Sequence, residues 1–295
     1  MLTSIHFLLT YNCNFSCDHC FLYSGPQATG TFTVALLKEM LDQARRVPGI
    51  DAVCFEGGEP FLYYPVLVEG IRYARELGLK TGVVSNAYWA TSPEDAELWL
   101  QALADLGVGS ISVSDDSLHF GEERVTPARH ALAAGNAMKL SMGALCTEKP
   151  FVKMVDGRRT VAGSTLFKGR AVEKLVEGLP RRPWQELVTC PHEKMDDPSR
   201  VHLDAYGFVH LCQGLCMGNA RKTPLPELLK IYRAADHPIV GPLVNGGPAA
   251  LAREFELPHE DAYVDECHFC YLLRRGLVDR YPELLAPRQV YGFGG

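Results

Sequence analysis

The chain has 295 residues, 47% of them hydrophobic and 22% charged, with a formal net charge of −6 at pH 7. This length and composition exclude a disordered or low-complexity protein and allow one large or two smaller globular domains. The acidic balance offers no field for phosphate backbones or anionic lipid, so neither nucleic acid nor a membrane is expected as a partner. The opening MLTSIHFLLTYNC has no basic n-region and too short an apolar core for a signal peptide, and no later run approaches a membrane span. A cytoplasmic protein is expected.

Residues 4–11 (SIHFLLTY) read as a first strand. A helix over 34–46 follows, with Leu37, Met40, Leu41 and Ala44 on one face, and DAVCFEGGEP then forms a second strand running into a glycine loop. The next helix carries Leu67, Ile71 and Ala74, and KTGVVSNA is the third strand. Its helix has a clear start: Ser92 as N-cap, Pro93 at the first helical position, and Glu94 and Asp95 in the first turn. SISVSDDS is a fourth strand, 125–137 a helix, KLSMGALC a fifth strand, and a sixth unit falls around 150–175.

A closed eight-fold barrel takes roughly 250 residues, so this stretch fits an incomplete, TIM-like (β/α)6 barrel over residues 1–179, open on one side. After PRRP the pattern changes. VHLDAYGFVHLC reads as a hairpin turning at Asp204 to Gly207, followed by a helix near 224–235, a Gly/Pro-rich segment, and a cysteine-bearing turn before a helix near 271–280. Residues 180–295 are therefore expected to form a small α+β domain.

Ten cysteines exceed what packing needs, and in a reducing compartment thiols hold metal rather than persist as disulfides. They are grouped: Cys13, Cys17 and Cys20 together, then Cys190, Cys212, Cys216, Cys267 and Cys270, with Cys54 and Cys146 apart. Two metal centres are implied. Three thiolates on one loop can wrap a four-iron cluster and leave one iron open to a small molecule, whereas zinc sites more often show paired C-x2-C units with a fourth ligand. Spacing alone leaves zinc open.

At CNFSCDHC the chain resembles the radical S-adenosylmethionine (SAM) superfamily, whose signature is C-x3-C-x-aromatic-C, with His19 here in the aromatic position. Glu56-Gly57-Gly58-Glu59-Pro60, after the second strand, matches that family's GGEP loop. The resemblance implies a [4Fe-4S] cluster on Cys13, Cys17 and Cys20, SAM on its open iron, and cleavage to a 5′-deoxyadenosyl radical. It implies SAM contacts from Gly57, Gly58, Glu59 and Pro60, with the Glu59 side chain at the methionine ammonium, and polar contacts from Ser85, Asn86, Ser114 and Asp116. Phe21 and Tyr23 lie either near the adenine or in loop packing. Lys168-Gly169-Arg170-Ala171 resembles a GRA segment whose arginine fork binds a carboxylate; an ordinary solvated arginine is the other reading.

The later cysteines resemble a twitch unit, the short form of the SPASM extension. That implies an auxiliary [4Fe-4S] cluster on Cys190, Cys212, Cys267 and Cys270. Cys216 fits this pattern less well and is a spare thiol, an alternative ligand, or a hydrogen donor. A structural zinc site stays open here also. Asp115, Asp116 and His119, at the mouth of the fourth strand, are candidates for deprotonating a substrate radical, or a capped loop. Cys146 could return a hydrogen atom or a proton, or be a buried thiol, and burial is the expected state of Cys54.

The function implied is hydrogen abstraction from a substrate, first in maturation of a ribosomal peptide and alternatively on a small molecule, as in aminocyclitol dehydrogenation or cofactor synthesis. An electron donor such as flavodoxin or ferredoxin is implied. The chain begins at its first strand, so a fused peptide-recognition domain is not expected in front. A zinc-stabilised binding protein without chemistry is the non-enzymatic alternative.

Overall fold

The computed structural model describes residues 2–294. The first strand, β1 (Ser4–Thr10), turns Ile5, Phe7 and Leu9 into the main core and His6, Leu8 and Thr10 to the opposite face, following the two-residue period of a strand. Helix α1 (Val34–Arg45) is started by Thr33, whose hydroxyl accepts from the Leu36 amide, and it buries Leu37, Met40, Leu41 and Ala44 in the same core. β2 (Ala52–Gly57), α2 (Tyr64–Glu76), β3 (Lys80–Ser85), α3 (Pro93–Asp105) and β4 (Ser110–Ser114) continue the alternation. α3 starts as its sequence indicates, with the Ser92 hydroxyl accepting from the Asp95 amide and Pro93 in the first turn. A short α4 (Ser117–Phe120), α5 (Pro127–Ala137) and β5 (Met142–Leu145) complete the series.

β1 to β5 lie side by side and parallel, giving the open α/β sheet of a partial barrel. The sixth unit differs from expectation. Residues 150–175 hold an antiparallel hairpin, β6 (Phe151–Val155) and β7 (Arg158–Ala162), and then a short α6 (Ala171–Lys174). Asp156 and Gly157, at φ 50 and 76, form a two-residue turn that sends the chain straight back, so no crossover helix separates the strands.

The sixth parallel strand comes later in the chain. After β8 (Arg182–Pro183), β9 (Arg200–Asp204) pairs parallel with β1 on the side away from β2, and β10 (Phe208–Cys212) and β11 (Leu215–Asn219) extend the sheet antiparallel. The hairpin beyond the barrel thus adds its strands to the barrel's own eight-stranded sheet. α7 (Leu225–Ile231) follows, and the Gly/Pro-rich run forms α8 (Val240–Phe255), kinked at Gly246–Gly247 before Pro248. A Cβ at Gly247 would lie 2.3 Å from the Val188 carbonyl carbon, so the kink lets the helix approach that backbone. β12 (Ala262–Tyr263) pairs with β8. α9 (Glu266–Leu277) starts earlier than its sequence suggests because Asp265 caps it, accepting from the His268 amide, and so Cys267 and Cys270 lie in its first turns rather than before it.

The helices bury the outer face of the sheet; a fully enclosed ring such as Phe7 or Phe55 contributes on the order of 2–3 kcal/mol. The inner face is left to smaller and polar side chains, and that is where the larger cavity lies. Among the described residues no helix is long and apolar enough to cross a membrane.

Candidate active site and auxiliary metal centre

The inner face of the sheet and the loops at its strand ends enclose a cavity of about 370 Å³. Its wall joins Cys13, Cys17 and Cys20 with Phe21, then Gly57 and Gly58 after β2, Ser85 and Asn86 at the end of β3, and Ser114, Asp116 and His119 around the end of β4. Residues far apart in the chain, from Cys13 to His119, meet because parallel strands deliver all their C-terminal ends to one side.

The glycine pair has a steric reason. Gly57 sits at φ 133, and a Cβ there would lie 2.3 Å from the Thr10 carbonyl oxygen; at Gly58 it would lie 2.1 Å from the Asn12 oxygen. That closeness lets the Gly58 amide donate to Thr10 O (2.6 Å) and the Glu59 amide to Asn12 O (2.9 Å), fixing the chain that enters the cysteine loop.

Glu59 is turned away from the cavity. Its buried carboxylate accepts from the Phe61 amide (3.0 Å), the Ser85 hydroxyl (2.9 Å) and the Asn86 amide (2.7 Å). Burial pushes its pKa up to about 7 against the opposing pull of those donors. The expected contact of this side chain with an ammonium group would require it to leave three partners. Here it ties the glycine loop to β3, and Pro60 starts the turn behind the wall.

Arg170 also differs from the carboxylate fork expected of it. Its guanidinium donates to the Cys17 and Ser24 carbonyls, both at 2.5 Å, and its amide to the Cys20 carbonyl at 3.0 Å. Gly169, at φ 61, allows this grip, since a Cβ would lie 2.4 Å from the Cys20 oxygen. The segment is a clamp on the cysteine loop. Tyr23 packs under the same guanidinium and against Gly292, outside the cavity wall.

Within the loop, the Cys13 sulfur faces the Phe15 amide at 3.4 Å and the Asn86 side-chain amide at 3.6 Å. Burial raises Cys13 to about 11 and Cys17 to about 12, so both are neutral thiols until a metal's charge compensates the thiolate. Three thiols on one loop, N–H donors at one sulfur and free volume beside them fit a cluster with an open iron.

Asp116 caps α4, accepting from the Leu118 and His119 amides, from His119 Nδ1 at 2.9 Å and from the Thr147 amide at 2.9 Å. Burial would raise its pKa, but these contacts, His119 foremost, hold it below the usual range. The His119 ring meets His19 edge-on at 4.7 Å, and burial, then His119, lowers His19 to about 4. Asp115 is tied to Thr126 and Arg129 in the loop. Cys146 is exposed, with its sulfur 3.0 Å from the Asp115 carbonyl oxygen, and stands off the cavity wall. Cys54 is partly buried on β2, and burial raises its pKa.

Cys190, Cys212, Cys267 and Cys270 converge on a second cavity of about 30 Å³, together with Lys168 and Arg274. Lys168 Nζ lies 3.5 Å from the Cys212 sulfur and 3.0 Å from Gln213 Oε1, while Arg274 donates to the Gln213 carbonyl at 3.1 Å. Burial alone would raise Cys212, but these two cations hold it below the ordinary thiol value; burial raises Cys190 and Cys267, and lifts Cys270 to about 11.

Cys216 is not part of this group. Across the irregular β10–β11 pairing it points into a fully buried layer, 3.5 Å from His210 Nδ1 and 3.4 Å from the Ala286 carbonyl oxygen. His210 in turn meets Asp204 at 3.2 Å, which accepts from the Tyr11 hydroxyl at 2.9 Å.

Several residues of these sites escaped the sequence reading. Lys168 and Glu193 line both cavities and so stand between the two sites. His6, Glu56 and His202 line the larger one, and their signal was present: polar residues at inward positions of otherwise apolar strands.

This fold and site define a SAM-binding, cluster-holding α/β protein, and comparison with known proteins agrees. Residues 7–126 match the family model of the Radical SAM superfamily. The chain carries a radical SAM superfamily domain, a family that implies a [4Fe-4S] cluster and SAM. It is 28% identical over 111 residues to YydG of Bacillus subtilis (strain 168), whose name ties it to peptide biosynthesis, covering 38% of this chain and 35% of that protein. It is 29% identical over 138 residues to the PqqA peptide cyclase of Rhodopseudomonas palustris (strain ATCC BAA-98 / CGA009), covering 45% and 33%. The matched stretch thus spans about a third of the length of these relatives. In fold it resembles BtrN, solved in complex with AdoMet and 2-DOIA, with a TM-score of 0.51 and 16% identity over 77% of this chain and 82% of that one.

Proposed function

We propose that the protein is a radical SAM enzyme that abstracts a hydrogen atom from a peptide during its maturation and carries a second, auxiliary cluster. The observation that carries this reading is the single cavity whose wall combines Cys13, Cys17 and Cys20 with polar groups from the ends of β2, β3 and β4. When bound, a four-iron cluster on those thiolates with SAM supplies a 5′-deoxyadenosyl radical.

The chain's own residues do the rest. Gly57 and Gly58 bring backbone to the side of the cavity beside the three thiols, where Asn86 and Ser114 on the wall would meet the methionine and ribose groups and Ser85, bonded to Glu59, backs them. Glu59 and Arg170 keep that wall in register from behind. His119, oriented by Asp116 at its Nδ1, is the acceptor for a substrate proton, and Phe21 covers an apolar face. Cys190, Cys212, Cys267 and Cys270 hold the auxiliary cluster, with Lys168 and Arg274 offsetting thiolate charge in a water-poor pocket. Flavodoxin or ferredoxin is the electron donor.

The peptide class rests on the names of YydG and the PqqA cyclase. A small-molecule substrate is the second reading, favoured by the extent of the fold likeness to BtrN, which covers far more of the chain. Anaerobic purification, iron and sulfide analysis, and incubation of the reduced protein with SAM test the chemistry. About eight irons per chain and release of 5′-deoxyadenosine are expected; zinc without sulfide, or intact SAM, defeats the reading. A peptide encoded beside the gene should change mass in the same reaction. No change, alongside full SAM cleavage, moves the assignment to a small molecule.

A further inference from the structure

The two cysteine sites leave one polar cluster without a part. His6 on β1, Glu56 on β2 and His202 on β9 share the wall of the larger cavity. Strand register brings them together. His6 stands opposite His202 across the β1–β9 pairing, and Glu56 stands opposite Leu8, one inward position further along. The imidazole rings are 5.2 Å apart, His202 Nε2 lies 3.1 Å from one Glu56 oxygen, and His6 Nδ1 lies 3.4 Å from the other.

Two features are odd for a purely structural trio. The His6 contact is off the line of a hydrogen bond, so His6 Nδ1 is a buried nitrogen that makes no hydrogen bond. Moreover, the only ion-pair partners of Glu56 among the described residues are these two imidazoles. The Glu56 carboxylate thus places a negative charge in a largely buried wall with no Lys or Arg in direct contact among the described residues. One ligand atom from each residue falls within 4.8 Å of the others. Two histidines and a carboxylate on rigid strands, with free volume in front, are the donor set that zinc or ferrous ions take when a coordination position is left open.

We propose that His6, Glu56 and His202 bind one divalent transition-metal ion whose open side faces the cavity. Ion binding does not depend on the radical chemistry. Only its meaning rests on the proposed function, since the open side then faces the substrate and would take one of its oxygen atoms.

Mn²⁺ is the suitable probe, because imidazole and carboxylate accept it while thiolates disfavour it, so the ten cysteines do not compete. The cluster-loaded protein, freed of chelators under argon, is titrated with Mn²⁺, and the free ion is followed by its six-line EPR spectrum. The expected result is about one bound ion per chain, displaced by Zn²⁺, with affinity reduced tenfold or more in His202→Asn and Glu56→Gln. Pulsed EPR of the wild-type complex should show nitrogen couplings from imidazole, a readout that stands even if a variant fails to fold. No binding at about 1 mM, binding without nitrogen coupling, or unchanged affinity in correctly folded variants overturns the proposal and leaves the trio a strand-to-strand contact. Assaying 5′-deoxyadenosine on the same samples separates the two claims: Mn²⁺ bound without SAM cleavage keeps the metal site and defeats the proposed function, and cleavage without binding does the reverse.

Discussion

The two cysteine sites follow opposite plans. The first draws three thiols from one loop, residues 13–20, and sets them beside about 370 Å³ of cavity. The second draws four thiols from three places along the chain, sets them round about 30 Å³, and lines the same space with buried Lys168 and Arg274. Three ligands beside free volume suit a cluster that must bind and release something at its fourth iron. Four ligands round a small apolar pocket, with cations offsetting their charge, suit one that only exchanges electrons. Lys168 and Glu193 stand on the walls of both.

Removing one ligand from each site tests the contrast most strongly. Cys17→Ala should lose about four irons per chain and all 5′-deoxyadenosine formation, with the remaining iron in the C-terminal site. Cys267→Ala should also lose about four irons yet still cleave SAM when reduced, while turnover of the true substrate stops. Iron analysis and chromatography of the nucleoside read both. If either variant loses all its iron, the sites are not separate centres.

Glu59 tests the wall between them and the sheet. Its folded-state pKa is near 7, against about 4.3 in an unfolded chain. Between those values the folded protein keeps a proton that the unfolded chain has released, so stability falls as pH rises through the window and levels off above 7. The span corresponds to a few kcal/mol, order of magnitude only. Glu59→Gln should flatten the decline of the melting temperature between about pH 5.5 and 7.5. Parallel curves for the two proteins would mean that Glu59 is already ionised when folded.

The open parallel sheet was legible because its strands and helices keep separate periods: Leu37, Met40, Leu41 and Ala44 mark α1, and the Ser92-Pro93 start marks α3. The segment around 150–175 was not, since the two-residue turn at Asp156-Gly157 sits within an otherwise strand-like run whose side chains are largely exposed and so give no burial period. That β9 joins β1 was equally hidden, because pairing between strands about 195 residues apart leaves no local trace. At the site, residue types could be read and directions could not. Glu59 and Arg170 carry the charges expected of ligand contacts, but the backbone amides and carbonyls they satisfy are visible only in three dimensions.

Cys216 gives the smallest expected effect and the sharpest test of where the second site ends. It lies four residues from Cys212, and spacing alone allows either to be a ligand. The fold separates them: Cys212 faces Lys168 and the other three thiols, whereas Cys216 faces His210 and the Ala286 carbonyl in the layer that also holds Asp204 and Tyr11. Cys216→Ala should therefore keep about eight irons per chain. It should lower stability by about 1–2 kcal/mol, from a small cavity and a lost sulfur contact to His210. A loss of about four irons would make Cys216 a ligand and require β11 to turn over when metal is bound.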